Sequence, residues 1–313
     1  MRAASGGPRP RLRVGLIGWG TVGSELGRLV LDGPLPLELV GVAVRDTDRA
    51  RGGLPARLRA DVDQVIADAS VVVELTGGIE GPLTWATQAL EQRKAYVTAN
   101  KALLATHGAE LAALATARQT GLLGSASVGG GVPMIETVEH LAATGTIERI
   151  TGLLNATTTF ILSRMADGAT YEEALAVGRA EGYAEADPTS DVEGRDAAQK
   201  LAILASVAWG AWRSEREVET LGIVGLTLEP GNPVRLVAEA TREHLRVRPM
   251  ALDPASVMAR ATGVESVLEV KTAGATFRVS GPGAGGRVTA AAVYADLARL
   301  VRGELPVLFG GGR

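Results

Sequence analysis

The sequence predicts an α/β fold in which a doubly wound parallel sheet is joined to a second, α+β unit. Three observations predict it. From about residue 12 to residue 126, short apolar runs alternate with helical runs, the pattern of parallel βα units. The first run leads through Gly18-Trp-Gly-Thr-Val-Gly23 into a helical segment, so a G-x-G-x-x-G element lies between strand and helix. The alternation stops at about residue 147, where a mainly helical stretch and then longer strand-like runs take over. These place a Rossmann-type nucleotide-binding domain at 1–127, completed by a C-terminal helix in 287–313, and a substrate domain at 128–286.

Residues 12–17 form the first strand and 24–31 the first helix. The glycines between them permit a tight turn and let a pyrophosphate approach the unpaired N–H groups of the helix start. Gly18, Gly20, Thr21, Val22 and Gly23 are therefore expected cofactor contacts. The second strand, 37–44, ends in Arg45. An acid there would bind the ribose hydroxyls of NAD, whereas an arginine can pair with the 2′-phosphate of NADP. Asp46 follows directly, so the position favours NADP(H) and leaves NAD open. A helix over 60–69 and a buried strand over 71–75 lead to Thr76-Gly-Gly78, at the carboxyl end of a strand, where such sheets bind ligands. Thr76 and Gly77 join the cofactor set. A helix over 82–92 and a strand over 95–98 end in Ala99-Asn100-Lys101, at another strand's carboxyl end. Asn100 and Lys101 can reach the nicotinamide end of a cofactor or an anionic substrate there. A helix over 108–119 and a strand over 121–126 complete the alternation. The loop Ser127-Val-Gly-Gly-Gly-Val-Pro133 then either binds a cation through backbone carbonyls or allows two segments to cross closely. A helix over 134–143 follows.

In the second unit a strand over 149–155 leads through Asn155-Ala-Thr-Thr-Thr159 into a helix to about residue 167, and a helix over 171–181 comes next. The stretch 181–200 then gathers Glu185, Asp187, Asp191, Glu193 and Asp196 before Lys200. Pro188 forbids a continuous helix through it. Ser190-Asp191-Val192-Glu193 reads as a capping box, predicting a helix from Asp191. Beyond it, Leu201, Leu204, Ala205 and Ala208 form one apolar stripe, with Ile203 and Val207 on the other side; a helix apolar nearly all round is buried. Lys200 is the only charge between Ala197 and Trp212, and Asp196 lies one turn before it on the same side. An isolated buried charge costs on the order of several kcal/mol, so Lys200 needs partners. A structural ion pair with Asp196 would suffice for the lysine alone. The other acids point instead to a ligand that carries an ammonium group. Strands over 234–247 and 265–280, the turn Gly281-Pro-Gly-Ala-Gly-Gly286, a helix over 288–301 and a disordered tail at 310–313 close the chain.

With 313 residues, 46% hydrophobic, the chain is long and apolar enough for two domains with their own cores. A net charge of −3 provides no field that would favour nucleic acid or an anionic membrane. Cysteine is absent, which excludes disulfides, thiolate metal sites and a cysteine nucleophile, and suits a reducing cytosol. No apolar run is long enough to span a membrane, and the first dozen residues, with Arg2, Arg9 and Arg11, read as a loose tail lacking a signal peptide's apolar core. A cytoplasmic protein is expected. His107, His140 and His244 are too scattered for a histidine-rich metal site.

Gly18-Trp-Gly-Thr-Val-Gly23, Glu74-Leu-Thr-Gly-Gly78, Val97-Thr-Ala-Asn-Lys-Ala-Leu-Leu104, Ser127-Val-Gly-Gly-Gly-Val-Pro133, Leu154-Asn-Ala-Thr-Thr, Gly182-Tyr-Ala-Glu-Ala-Asp-Pro188, Asp191-Val-Glu-Gly-Arg-Asp-Ala-Ala-Gln-Lys-Leu201 and the late glycine turn occur in that order. Over about 13–302 the chain resembles homoserine dehydrogenase. The resemblance implies reversible reduction of L-aspartate 4-semialdehyde to L-homoserine with NAD(P)H, in threonine, methionine and isoleucine biosynthesis. It implies Lys200 as the catalytic lysine and Lys101 as a second active-site lysine. Glu185, Asp191 and Asp196 would hold the substrate or support the site, with Thr157 and Gly182 also at the substrate and Gly283 at the cofactor. It further implies a homodimer or larger homo-oligomer formed through the second domain, and a sodium ion on the backbone at Val128, Gly130 and Val132. Three departures stand out. Ser125 replaces the usual glutamate beside the sodium loop, Thr159 replaces an asparagine, and the chain ends soon after Val301. The last leaves no room for a C-terminal regulatory domain, so feedback by threonine through one is not expected. Two readings compete: another Rossmann oxidoreductase of an amino or hydroxy acid, and a non-catalytic NADP-binding sensor, which would have no need of Lys200 and its acids. An acylating semialdehyde dehydrogenase is excluded by the missing cysteine.

Overall fold

A computed structural model describes residues 11–45, 58, 60–185, 187–228 and 233–310. The arginine-bearing start, Asp46 and the last three residues lie outside these. The first sheet is parallel throughout, with strand order β2-β1-β3-β4-β5. Its strands are β1 (Leu12–Ile17), β2 (Leu37–Ala43), β3 (Val71–Glu74), β4 (Ala95–Thr98) and β5 (Leu122–Leu123). Nearly every residue of β1, β3 and β4 is buried, as β-branched strands covered on both faces require. Helices α2 (Val62–Asp68), α3 (Glu80–Glu91) and α4 (Lys101–Arg118) cover one face through Ile66, Leu90 and Leu104. Helix α1 (Thr21–Asp32) and the terminal α11 (Gly286–Val301) cover the other through Leu26, Val293 and Leu297.

The second sheet has the order β11-β10-β6-β8-β9-β7 and is antiparallel except for the β7–β9 pair. It comprises β6 (Ile147–Leu153), β7 (Val218–Thr220), β8 (Val234–Ala240), β9 (Leu245–Ala251), β10 (Glu265–Thr272) and β11 (Thr276–Pro282). Helices α5 (Met134–Thr144), α6 (Ala156–Ala166) and α9 (Arg195–Trp209) pack on it, while α7 (Tyr171–Ala180) packs on α6. Short helices α8 (Thr189–Val192) and α10 (Val257–Arg260) complete the set. One apolar core runs without a break from Val72 and Tyr96 of the first sheet through Leu104 and Leu201 to Leu236 of the second.

Several elements differ from the sequence reading for identifiable reasons. Helix α4 starts at Lys101 rather than at 108, because the Asn100 side chain accepts the Leu103 N–H and caps it there. Strand β5 is only two residues long, since Ser125–Ser127 turns into a 3-10 helix. The expected strands over 234–247 and 265–280 are each a hairpin, and in the first the Thr241 N–H and His244 carbonyl close the turn. No capping box forms at Ser190–Glu193. Gly194, at φ +84°, breaks the chain there and α9 begins at Arg195.

Asp296 of α11 holds the 3-10 turn, accepting from Ser125 N–H at 3.1 Å and from its hydroxyl at 2.6 Å. Burial raises its carboxyl, the Ser125 hydrogen bonds oppose the rise, and nearby Glu136 adds to it; the outcome is about 7 against an ordinary 3.8. The folded state therefore holds this proton where the unfolded state has released it. The stabilisation is complete below the ordinary value and is lost as pH rises through about 7. Asp296→Asn is accordingly expected to raise the urea midpoint over the parent at about pH 8 and to show a much smaller gain near pH 4.5. An equal difference at both pH values would contradict this.

Candidate active site

The strand order reverses direction between β1 and β3, and a cleft opens at their carboxyl ends, where doubly wound sheets take ligands. Its volume is about 700 Å³, and Gly18, Arg45, Thr76, Gly77 and Gly78 line it. Gly18 has φ +103°. A methyl group on Gly23 would lie 2.2 Å from the Gly18 carbonyl, so that glycine lets α1 start against the end of β1. Gly20 has open space on its Cα, and no side chain caps α1, whose first N–H groups at Thr21 and Val22 are left for a ligand. An uncapped helix start beside an open glycine and a cleft fits a dinucleotide pyrophosphate. Gly283 is not among the cleft residues. Its carbonyl lies 2.5 Å from the position of a Gly130 Cβ, so these two glycines serve a close crossing of backbones.

The far wall of the cleft connects to a cluster of charges. The Asn100 amide donates to the Gly78 carbonyl at 2.7 Å, and Lys101 follows as the first residue of α4. Lys101 Nζ lies 3.1 Å from Asp196 Oδ1, and Lys200 Nζ donates to Asp196 Oδ2 at 2.7 Å. Two lysines nearly a hundred positions apart thus share one carboxylate. Asp196 is 5% exposed. Burial pushes its carboxyl up, but Lys200 and Lys101, with hydrogen bonds from Lys200 and Asn155, outweigh that and hold it at about 2. Lys200 also donates to the Leu154 carbonyl at 2.8 Å. An ammonium has three N–H donors, so two are committed and one is left for a ligand.

Asn155, which the sequence reading did not single out, joins the acids. Its side-chain oxygen caps α6 by accepting the Thr158 N–H, and its amide donates to Asp191 Oδ1 at 2.6 Å and Asp196 Oδ2 at 2.8 Å. The run Asn-Ala-Thr-Thr signals the cap, but not the amide's reach across 36 and 41 residues. Burial raises the Asp191 carboxyl and Asp196 raises it further, against Asn155, Lys200 and Thr157. Thr157 donates to the Tyr183 carbonyl at 2.8 Å, and Gly182, at φ +77°, turns the chain just before it.

The surplus of acids is smaller than the sequence suggested. Asp187 caps its own turn at Thr189, Glu193 pairs with Arg195, and Glu185 is exposed. Only Asp191 and Asp196 of the five reach the lysine cluster. At the glycine loop, Val128 and Val132 are buried, the Gly129 carbonyl accepts the Val132 N–H and the Val132 carbonyl accepts the Met134 N–H. The Ser125 hydroxyl is spent on Asp296. Of the three carbonyls expected to hold sodium, that of Val132 is engaged by Met134, and Ser125 brings no charge to the loop; no step below uses a metal. Among the described residues no group of three or more His, Cys, Asp or Glu could hold one.

Comparison with known proteins agrees with this geometry. Residues 18–123 match the family model described as the NAD-binding domain of homoserine dehydrogenase, and 133–298 match the homoserine dehydrogenase model. The chain is 36% identical over 333 residues to a homoserine dehydrogenase of Corynebacterium glutamicum, covering 96% of this chain and 74% of that protein. A crystal structure of the Thiobacillus denitrificans homoserine dehydrogenase superposes with TM-score 0.87 at 35% identity, over 93% of this chain and 73% of that one. A hyperthermophilic archaeal homoserine dehydrogenase in complex with NADPH superposes with TM-score 0.83 at 26% identity, over 95% and 99% of the two chains. By its sequence over nearly its whole length and by its fold, the chain belongs to the homoserine dehydrogenase family of NAD(P)-dependent oxidoreductases.

Proposed function

We propose that the cleft takes NADP(H) in preference to NAD(H) and that Lys200 is the proton donor and acceptor in the interconversion of L-aspartate 4-semialdehyde and L-homoserine. The observation that carries this is the single carboxylate, Asp196, held between Lys101 and Lys200. Bound NAD(P)H supplies the hydride for the aldehyde carbon. Negative charge then grows on the carbonyl oxygen, and a fixed cation with a free N–H stabilises that charge more than it does the ground state. Lys200 has that free N–H, because Leu154 and Asp196 hold the other two. In the reverse direction the same nitrogen takes the alcohol proton. Lys101 adds a second positive charge on the same side. Asp196 orients both lysines, and Asp191, with the backbone near Thr157 and Gly182, receives the substrate ammonium. Glu185, exposed as it stands, joins this subsite only if the 181–187 stretch folds inward over substrate.

Arg45 at the cleft edge suits a 2′-phosphate. Residues 1–127 with α11 form the cofactor domain in this reading, and 128–286 the substrate and homodimer domain; a sodium ion, where one binds, would sit on the backbone at Val128, Gly130 and Val132. No described helix is long and apolar enough to cross a membrane, and the cysteine-free chain suits the cytosol.

Purified protein is expected to oxidise L-homoserine, read at the nicotinamide absorbance, and Lys200→Ala to lower kcat by about 10²–10⁴ in a protein that still melts cooperatively. Near-parental turnover in that variant would overturn the role of Lys200. Cofactor binding by the parent without turnover would instead favour the sensor reading. Arg45→Ala is expected to lower kcat/KM with NADP by roughly 10- to 100-fold, the effect of one or two charge-assisted hydrogen bonds, and to leave NAD little changed. An equal loss with both cofactors would contradict the assignment.

A further inference from the structure

Glu74 is the last residue of β3 and is completely buried, after three valines that need no polar partner. A carboxylate there is tolerable only if its oxygens are satisfied. One oxygen accepts both the Thr76 N–H and the Thr76 hydroxyl, each at 2.6 Å. The other accepts the Thr98 hydroxyl at 2.7 Å. Thr98 is the last residue of β4 and lies directly opposite Glu74 in the sheet register. Its oxygen in turn accepts the Asn100 N–H at 2.9 Å. Asn100 closes the circuit, capping α4 through Leu103 N–H and donating to the Gly78 carbonyl at 2.7 Å.

The circuit ties together two loops with different tasks. Thr76, Gly77 and Gly78 line the cofactor cleft. Asn100 fixes where α4 starts and so where Lys101 projects towards Asp196. Leu75 and Ala99 pack the bases of both loops on one apolar cluster, and the polar link beyond them runs through Glu74, Thr98 and Asn100. We propose that Glu74 is a positioning residue: through Thr98 and Asn100 it sets the distance between the cofactor cleft and Lys101. Its two oxygens suit the task, since every group that faces them donates: the Thr76 N–H and hydroxyl and the Thr98 hydroxyl. The proposal rests on the reading of Lys101 as an active-site lysine. A displacement of about 1 Å between reacting groups can cost about 100-fold in rate, so a loose link here is visible in kcat.

The test uses Thr98→Val, which keeps the shape and burial of β4 and removes the hydroxyl bridge, with Thr98→Ser as the conservative control and Glu74→Ala as the variant that loses both arms. All are assayed for homoserine oxidation well below their melting temperatures, with NADP+ affinity measured by calorimetry. Thr98→Val is expected to lower kcat by about 10- to 100-fold while leaving the NADP+ affinity within about threefold, because Glu74 still holds Thr76. Thr98→Ser is expected to recover kcat to within about threefold of the parent, and Glu74→Ala to lose cofactor affinity as well as kcat. A Thr98→Val enzyme with parental kcat, a loss that serine does not recover, or a Glu74→Ala enzyme changed only in melting temperature overturns the proposal. The parent in the same assay separates the two readings. An inactive parent overturns the enzymatic reading and this proposal with it, whereas an active parent with an unaffected Thr98→Val overturns only this proposal.

Discussion

Asp196 is the constraint on which the site depends. Taking a carboxylate out of water is costly, and its burial is offset here by two ammonium groups and the Asn155 amide. Its place in the first turn of α9 helps, since the N-terminal end of a helix favours a negative charge. The arrangement is interdependent. Removing one member of a buried charge cluster typically costs about 3–5 kcal/mol, because it strands the others. The same interdependence keeps the lysines where they are without occupying all their donors, which is what a ligand needs from them.

Two features of the backbone put those charges together. Gly194 ends α8 in a left-handed turn and restarts the chain as α9, so Asp196 falls at a helix start rather than in mid-helix. Asn100 does the equivalent for α4, so Lys101 rather than a later residue stands at its beginning. The two helices pack against each other within one unbroken core, and their N-terminal turns meet at the lysine cluster. Lys101 and Asp196 stand in first turns, and Lys200, one turn further along α9, is tied back to Asp196.

Much of this was legible in the sequence because it rests on local pattern. The alternation of strand and helix, the glycine element after β1 and the apolar run of α9 around one lysine are properties of short windows, and most of their ends fall within a few residues of the expected ones, the start of α4 at Lys101 being the larger departure. The pairing of Asp196 with Lys200 follows from helical spacing alone. What was misread depends on packing. The hairpin turns at Thr241–His244 and Thr272–Ala275 lie inside runs that look like single strands: the first carries no Gly, Pro, Asn or Asp, and in the second Gly274 stands alone amid residues that extend the strand pattern. The Ser190–Glu193 capping pattern was overridden by Gly194. The five acids are neighbours in sequence, yet burial selects two of them. Asn155 and Glu74 were passed over because their importance lies in partners distant along the chain.

The most direct test of the shared carboxylate is the steady-state kinetics of Asp196→Asn in a folded enzyme, with NADP+ affinity measured alongside. The substitution keeps the shape and removes the charge that both lysines face. The account expects kcat for homoserine oxidation to fall by at least about 10²-fold while NADP+ affinity stays within about threefold, because the cleft does not touch residue 196. A variant that turns over at nearly the parental rate would show that the two lysines do not need their common counter-charge, and the account would be wrong.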